Sequence, residues 1–426
     1  MIFVVGVFAA LLLMGVPICF VLGITGVVHV ASFGTEQYFN IIVQKMFGGM
    51  SVSSLTCIPF FIVAGELMNS GGVTVKLLDF IRSLVGHYRG GLAYVVVLVA
   101  VILSAILGSA NAVAAILCAV VVPEMIRDKY PDDFSAGLVC ASGVLGPIIP
   151  PSVTFVYFSV LSGVSVNAMF MAGVIPGVLI ALSYITIIAI QTKRLKLPRS
   201  TDGFALKITL VTFVKALPAL VVPVVLVGGI TTGMFTPAES GAVAVFAAIM
   251  ASAIYGNFRP ALLPRVLMRS TTVTAGIFII IGFGNIIGWT MAIANVPAKV
   301  KEAVLGMTQS GIVIILLMFV ILIIVGCVME ATAAMLIFTP VMMPLGVAAG
   351  MDPVQFGVWF SIMLTIALVT PPVGMTLFVT SNITKIPLER ISKSLMPFIV
   401  AALVVTLMVA IFPKLALTIP RLMGII

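Results

Sequence analysis

Apolar runs joined by short polar connections follow one another along all 426 residues. Many approach the length of about 20 helical residues that crosses the hydrocarbon core of a bilayer. Alternation of the strand kind is absent, so the pattern predicts helices and excludes an outer-membrane barrel. Uninterrupted spans are predicted at 2–30, 56–69, 168–192, 212–231, 238–255, 271–294 and 394–412. Three amphipathic stretches read as arms at the interface: 38–50, with Glu36, Gln44 and Lys45 among its apolar positions; 73–88, with Lys76, Asp79, Arg82 and His87; and 296–307. The run 92–125 is interrupted by Leu107-Gly108-Ser109-Ala110-Asn111. Each arm is about 15 residues, short for a full crossing, so a re-entrant hairpin with its tip at 108–111 is predicted. The run 312–345 predicts a second hairpin, its tip at 326–332.

Two further apolar runs, 134–163 and 356–380, contain Gly146-Pro147-Ile148-Ile149-Pro150-Pro151-Ser152 and Val369-Thr370-Pro371-Pro372-Val373-Gly374-Met375. Proline lacks the amide donor and clashes with the preceding turn, so neither run continues as one helix. In hydrocarbon the freed carbonyls need a partner, and a cation is one.

Composition sharpens the class. The chain is 62% hydrophobic and 8% charged, with a mean hydropathy of +1.32, as in a polytopic all-α membrane protein. The net charge of +9 is no mark of nucleic-acid binding, because the basic residues lie in short loops where they set orientation. Lys193, Arg194, Lys196, Arg199 and Lys207 form one basic loop and Arg259, Arg265 and Arg269 another; the turn Gly233-Met234-Phe235-Thr236-Pro237 between them has no charge. The basic loops are therefore expected in the cytoplasm, with the N-terminus cytoplasmic and the C-terminus outside. Lys299 and Lys301 fall outside against the rule. The first run is too long for a signal peptide and lacks a basic lead-in, so it stays a span. Cys19, Cys57, Cys118, Cys140 and Cys327 form no Cys-x-x-Cys pair and read as small core residues. His29 and His87 lie at span ends, outside any metal constellation, and no phosphate-binding loop for ATP is present.

The chain repeats. Ala110-Asn111-Ala112-Val113-Ala114-Ala115 aligns with Met329-Glu330-Ala331-Thr332-Ala333-Ala334, and Pro150-Pro151 with Pro371-Pro372. Each half reads span, arm, span, arm, hairpin, broken span, span. The charge-derived topology places the two hairpin bases on opposite sides, so the repeats are inverted. Paired broken helices in two halves point to a transporter's binding site.

A sodium ion needs several oxygens, and carbonyls freed by a helix break supply them without net charge. The expected donors in the first half are the Ser109 hydroxyl and carbonyls around Gly146, Ile149 and Pro151. In the second they are carbonyls near Gly326, the Thr332 hydroxyl, and carbonyls around Thr370, Gly374 and Met375. Ser109, Asn111, Ser152 and Glu330 are the candidates for substrate, since half-helix N-termini at the tips suit an anion. Ser152 has an alternative as a cap of its own helix. Glu330 is a carboxylate inside an apolar run and so a functional candidate by default; it could take substrate donors, relay a proton or accept a hairpin amide. Glu66 reads as snorkelling or paired, and Glu239 as a first-turn acid.

With these stretches Phe61-Ile62-Val63-Ala64-Gly65-Glu66-Leu67-Met68-Asn69-Ser70-Gly71-Gly72 and Phe235-Thr236-Pro237-Ala238-Glu239-Ser240 complete a set. Together they resemble the large membrane subunit of tripartite ATP-independent periplasmic (TRAP) transporters over essentially the whole chain. The resemblance implies a sodium-driven elevator-type importer in the bacterial inner membrane, with sodium as coupling ion and no organic cofactor. It implies two partners, a small four-helix membrane subunit and a soluble periplasmic substrate-binding protein, and organic-acid substrates such as C4-dicarboxylates or sialic acids. No four-helix extension precedes Met1, so the small subunit is expected as a separate chain. Scaffold spans and arms are then expected in 1–91, 164–311 and 384–426, and transport regions in 92–163 and 312–383. Relatives often carry a serine two positions before the one matching Ser109; here it is Leu107, so a sodium ligand there is a carbonyl or the site is altered. A stand-alone sodium–dicarboxylate symporter, and from another class a channel or an intramembrane enzyme, are the alternatives. A channel would show a continuous polar stripe and an enzyme a paired acid and base, and neither is visible.

Overall fold

The glycines and prolines that interrupt the apolar runs are where the helices stop. The computed structural model describes residues 2–34, 37–199 and 203–426 as helices joined by turns; Glu36 lies outside the described residues. The first run is divided at Gly15 and Pro17 into α1 (Ile2–Leu13) and α2 (Ile18–Ala31), not one unbroken span. The elements that follow are α3 (Gln37–Met50), α4 (Cys57–Ser70), the arm α5 (Val73–Val85), α6 (Gly91–Leu107), α7 (Ala110–Arg127), α8 (Asp132–Gly143), α9 (Val153–Ser162) and α10 (Val166–Arg194). The second half has α11 (Leu206–Thr231), α12 (Pro237–Ile254), α13 (Leu263–Ile293), α14 (Val296–Met307), α15 (Gly311–Val328), α16 (Ala331–Ala348), α17 (Pro353–Ala367), α18 (Met375–Thr384), α19 (Leu388–Ile411) and α20 (Lys414–Leu422). Both hairpins, α6–α7 and α15–α16, and both broken spans, α8–α9 and α17–α18, stand where the pattern predicts them. The amphipathic α20 was not anticipated.

One arm differs from expectation. α3 and α4 meet at 54° and together are apolar and long enough to count as one bent span. α3 packs along α13, with Asn285 Nδ2 donating to the Lys45 carbonyl at 2.6 Å. The contact uses the backbone of α3, and its Asn40 and Gln44 stay exposed. In the second half α13, a single helix of 31 residues, stands where the first half has the bent pair, so the two halves do not share an identical element order.

Polar contacts on α19 fix the relation of the halves. At its start Arg390 pairs with Asp132 at 2.6 Å and Ser394 donates to Asp133 at 2.9 Å, both at the start of α8. At its other end the carbonyls of Val409 and Ala410 accept from Gln355 Nε2, each at 2.9 Å, at the start of α17. The two broken spans therefore enter from opposite faces, and the repeats are inverted. The packing obeys the same two-fold: α7 lies on α18, and α16 on α9.

The face that holds the starts of α8 and α19 collects most of the cations. Arg82 bridges Glu124 at 3.1 Å and Asp128 at 3.7 Å, and Arg269 pairs with Glu66 at 2.9 Å. Arg89 donates to the Leu197 carbonyl, which brings the base of the first hairpin to the basic loop after α10. Lys299, Lys301, Lys414 and Arg421 lie on the elements of the other face. Glu239 is the first-turn acid expected, closing a capping box with Thr236.

The broken spans run through the centre. Every residue of α17 from Val354 to Ala367 is buried, and Phe356, Trp359 and Phe360 cluster with Phe158 of α9. α10 and α19 pack on each other, with Tyr184 edge-on to Phe398 at 5.4 Å, and both touch α17.

Candidate functional site

The first tip is seated on the first break. Gly108 turns the chain with φ +59°, which glycine adopts without steric cost. A methyl group on Gly146 would lie 2.7 Å from the Ser109 carbonyl oxygen, so only hydrogen allows that approach. Pro151 presents its carbonyl to Gly108, 3.2 Å from where a Cβ would stand. Among the described residues the carbonyls of Gly146, Ile149 and Pro151 accept no hydrogen bond. Ser109, Gly146 and Pro151 are thus brought together. Ile149 follows on the same turn, with its side chain directed to Gly177.

The second tip meets the second break in a related way. The Gly374 amide faces the Cys327 carbonyl at 3.4 Å, and Cys327 Sγ donates to the Pro371 carbonyl at 3.6 Å. The carbonyl oxygens of Leu368 and Thr370 both stand 3.0 Å from where a Cβ on Gly374 would be. The Thr370 carbonyl accepts no bond among the described residues, whereas that of Gly374 accepts Phe378 N at 3.0 Å. Met375 opens α18, and Gly326 packs so tightly on Ala367 that a side chain would clash. Thr332 stands apart from this group. Its hydroxyl donates to Glu330 Oε1 at 3.0 Å, on the side of the tip that faces a cavity. Both broken spans carry a cis proline peptide, at Pro150-Pro151 and Pro371-Pro372.

That cavity, of about 270 Å³, lies between the tips. Ser109 and Asn111 line it from the first hairpin, Glu330 and Thr332 from the second, and Thr154 and Tyr157 from α9; Ile62 of α4 and Val273, Gly276, Ile277 and Ile280 of α13 close its far side. Glu330 is the N-cap of α16, its Oε2 accepting from Thr332 N at 2.9 Å and Ala333 N at 3.3 Å. An anion is favoured there by the unpaired amides of a helix start. The third role foreseen for this carboxylate, accepting hairpin amides, is thus realised. Asn111 Oδ1 accepts from Thr376 Oγ1 at 2.7 Å, which directs its amide nitrogen elsewhere. Ser109 caps α7 by position, without a side-chain hydrogen bond to the helix. Ser152 does not reach the cavity: it is fully buried, donates to the Pro147 carbonyl and accepts Phe155 N at 3.2 Å, as a helix cap does.

The helix starts also reset the repeat. α7 and α16 each have 18 residues, with Pro123 and Pro344 at the same step. Ser109 is therefore the counterpart of Glu330, and Asn111 of Thr332, two places from the alignment made on the alanine-rich run. A larger cavity of about 620 Å³ lies between α5 and α11, lined by Lys76, Asp79, Arg82 and His87 among others. It touches neither tip.

The family model for the tripartite ATP-independent periplasmic transporter, DctM component, matches residues 5–415. The chain belongs to this family. Among its relatives, the 2,3-diketo-L-gulonate TRAP transporter large permease protein YiaN of Escherichia coli is 37% identical over 387 residues, 90% of each chain. The C4-dicarboxylate TRAP transporter large permease protein DctM of Pseudomonas aeruginosa is 34% identical over 404 residues, 95% of this chain and 94% of that one. The fold is similar to that of the Alcanivorax borkumensis YdaH transporter, with a TM-score of 0.67 at 12% identity, over 95% of this chain and 98% of that one. The protein is a large permease subunit of the TRAP class, a multi-span membrane transporter and not an enzyme.

Two side chains on the permease's cavity wall went unnoticed in the sequence. Thr154 and Tyr157 follow the first break by one turn, among Phe155, Val156 and Phe158. In such a run an aromatic at helical spacing reads as core, and three of these neighbours are fully buried.

Proposed function

We propose that the permease imports a small carboxylated solute of the C4-dicarboxylate or sialic-acid kind, driven by sodium, with the solute bound between the two hairpin tips. The observation that carries this reading is the cavity walled by both tips on one side and by α4 and α13 on the other. A site placed so is bounded partly by hairpins and partly by a different set of spans, as alternating access at a repeat interface requires. Sodium is held where tip backbone meets break carbonyls, beside Ser109, Gly146, Ile149 and Pro151 in the first half and beside Gly326, Thr370, Gly374 and Met375 in the second, with Thr332 at the border of site and cavity. Chemically these sets offer neutral oxygens, suited to a hard monovalent cation in a place where a full negative charge would be costly.

Movement is of the elevator type. The hairpins and broken spans travel as one body; α10 and α19, expected among the scaffold spans, pack on that body's core and are placed with it instead. The facing scaffold presents small residues to it: Gly65 of α4 lies against Leu107, and Gly284 of α13 against Leu336. The basic face is the cytoplasmic one in a bacterial inner membrane. The N-terminus is then cytoplasmic and the C-terminus, beyond the far end of α19, periplasmic. Solute arrives from a periplasmic binding protein, and a small four-helix membrane subunit completes the complex.

Reconstitution tests the reading. Uptake into proteoliposomes is expected only with an inward sodium gradient and both partners present. Undiminished uptake by this chain alone, with potassium in place of sodium, sinks it.

A further inference from the structure

The cavity is not symmetric in what it offers, and the asymmetry depends on one residue that the family resemblance does not single out. Tyr157 is 3% exposed, lines the cavity beside Glu330 and Thr332, and its hydroxyl has no hydrogen-bond partner. Buried polar groups are nearly always paired, and an unpaired phenol costs free energy until something supplies its partner. Neither neighbour donates to it: the Thr332 hydroxyl donates to Glu330 Oε1, and Glu330 Oε2 holds the first amides of α16, while the lone pairs left on Thr332 Oγ1 can only accept. The phenol is a buried donor at the cavity wall without a hydrogen-bond partner, next to a carboxylate that only accepts.

At the first tip the chemistry is reversed. Ser109 makes no bond to its helix, Asn111 spends its carbonyl oxygen on Thr376, and the start of α7 opens onto the same space. That end supplies donors and a helix N-terminus, with no carboxylate lining it.

We infer that Tyr157 is a direct substrate-binding residue and that the cavity takes a hydroxylated monocarboxylate, its carboxylate at Ser109–Asn111 and a hydroxyl group between Tyr157 and Glu330. A hydroxyl fits that second place because it accepts from the phenol while donating to Glu330. A second carboxylate there would also accept from Tyr157, but it would meet the Glu330 charge with nothing between them. The inference rests on the cavity being the solute site and narrows its substrate class to acids bearing hydroxyl groups, away from C4-dicarboxylates.

The experiment is equilibrium binding of radiolabelled D-gluconate, N-acetylneuraminate, succinate and fumarate to the detergent-purified full chain in sodium chloride. At least one of the two hydroxy acids is expected to bind about tenfold more tightly than either dicarboxylate, and Tyr157→Phe to weaken it by about tenfold. Because the hydroxyl is unpartnered, Tyr157→Phe is expected to keep or raise the melting temperature, which separates lost contact from lost fold. Glu330→Gln is expected to narrow the gap by admitting the dicarboxylates. Dicarboxylates binding as tightly as the hydroxy acids, or a Tyr157→Phe chain with unchanged affinity, overturns the inference and leaves the cavity reading standing. Binding of none of the four at millimolar concentration overturns both.

Discussion

Asn111 on the first hairpin accepts a 2.7 Å hydrogen bond from Thr376 on the second broken span. The two residues are 265 positions apart and belong to opposite repeats. The bond joins the half-helix beyond the second break to the tip that faces the first. A polar bond in this place makes the repeats one body, since dispersion packing alone between apolar helices would fix neither register nor distance.

Removing that bond tests the coupling. Asn111→Ala and Thr376→Val are each expected to cost about 1 kcal/mol of stability, and the double variant little more than either alone. Thermal unfolding of the four purified chains gives the cycle. Fully additive losses would mean that the contact does not join the two elements.

Gly146 makes a sharper demand. An added methyl group meets the Ser109 carbonyl oxygen at 2.7 Å, and neither side yields cheaply, because both are backbone. Gly146→Ala is expected to separate tip from break at a cost of about 1–3 kcal/mol. Sodium-dependent uptake falls sharply while the protein still inserts and assembles. Normal uptake with normal sodium dependence would show that the tip need not approach the break.

The places where helices stop were legible, and what caps them was not. Proline pairs and glycines inside apolar runs announce their own breaks, which is why both hairpins and both broken spans were foreseen. The fate of a side chain at a break depends on the neighbour that the fold delivers. Ser152 looked like a donor for substrate but is consumed by Pro147 and Phe155. The repeat misaligned by two residues had a similar origin, since alanine-rich segments align nearly as well two steps apart. The prolines Pro123 and Pro344, in view but unused, hold the true register. α3 carries the amphipathic signature of an interface helix, and what the sequence does not show is that Asn285 supplies a partner for its backbone from elsewhere in the chain.

The two hydroxyls proposed for sodium are expected to differ. Ser109 has no helix bond to lose, so Ser109→Ala removes one oxygen ligand and leaves the tip intact. Thr332→Ala also removes a donor from Glu330. Each loss corresponds to about 1 kcal/mol for a single hydrogen-bonding group, or roughly a fivefold rise in the sodium concentration for half-maximal uptake, with the larger shift for Thr332→Ala. Both variants keeping the wild-type sodium curve at normal expression would remove these residues from the ion sites.

Glu330 separates charge from shape. Its carboxylate holds two amides and one hydroxyl at the start of α16. Glutamine can keep that geometry: its carbonyl oxygen takes the amides, and its NH₂ donates to the Thr332 hydroxyl, which also accepts. Only the charge is lost, and with it about 0.3–1 kcal/mol of favourable interaction with the helix start. Glu330→Gln is therefore expected to express, to assemble with the small subunit and to melt within a few degrees of the parent. Glu330→Ala leaves the three donors without an acceptor, and the loss of the cap alone costs about 0.5–2 kcal/mol. That variant is expected to be poorly folded. Since Glu330 also faces the cavity, the glutamine variant is expected to need more solute for half-maximal uptake while keeping its sodium dependence. A Glu330→Gln complex that fails to assemble would make the charge structural. One that assembles with unchanged solute affinity and rate would leave Glu330 as a helix cap and nothing more.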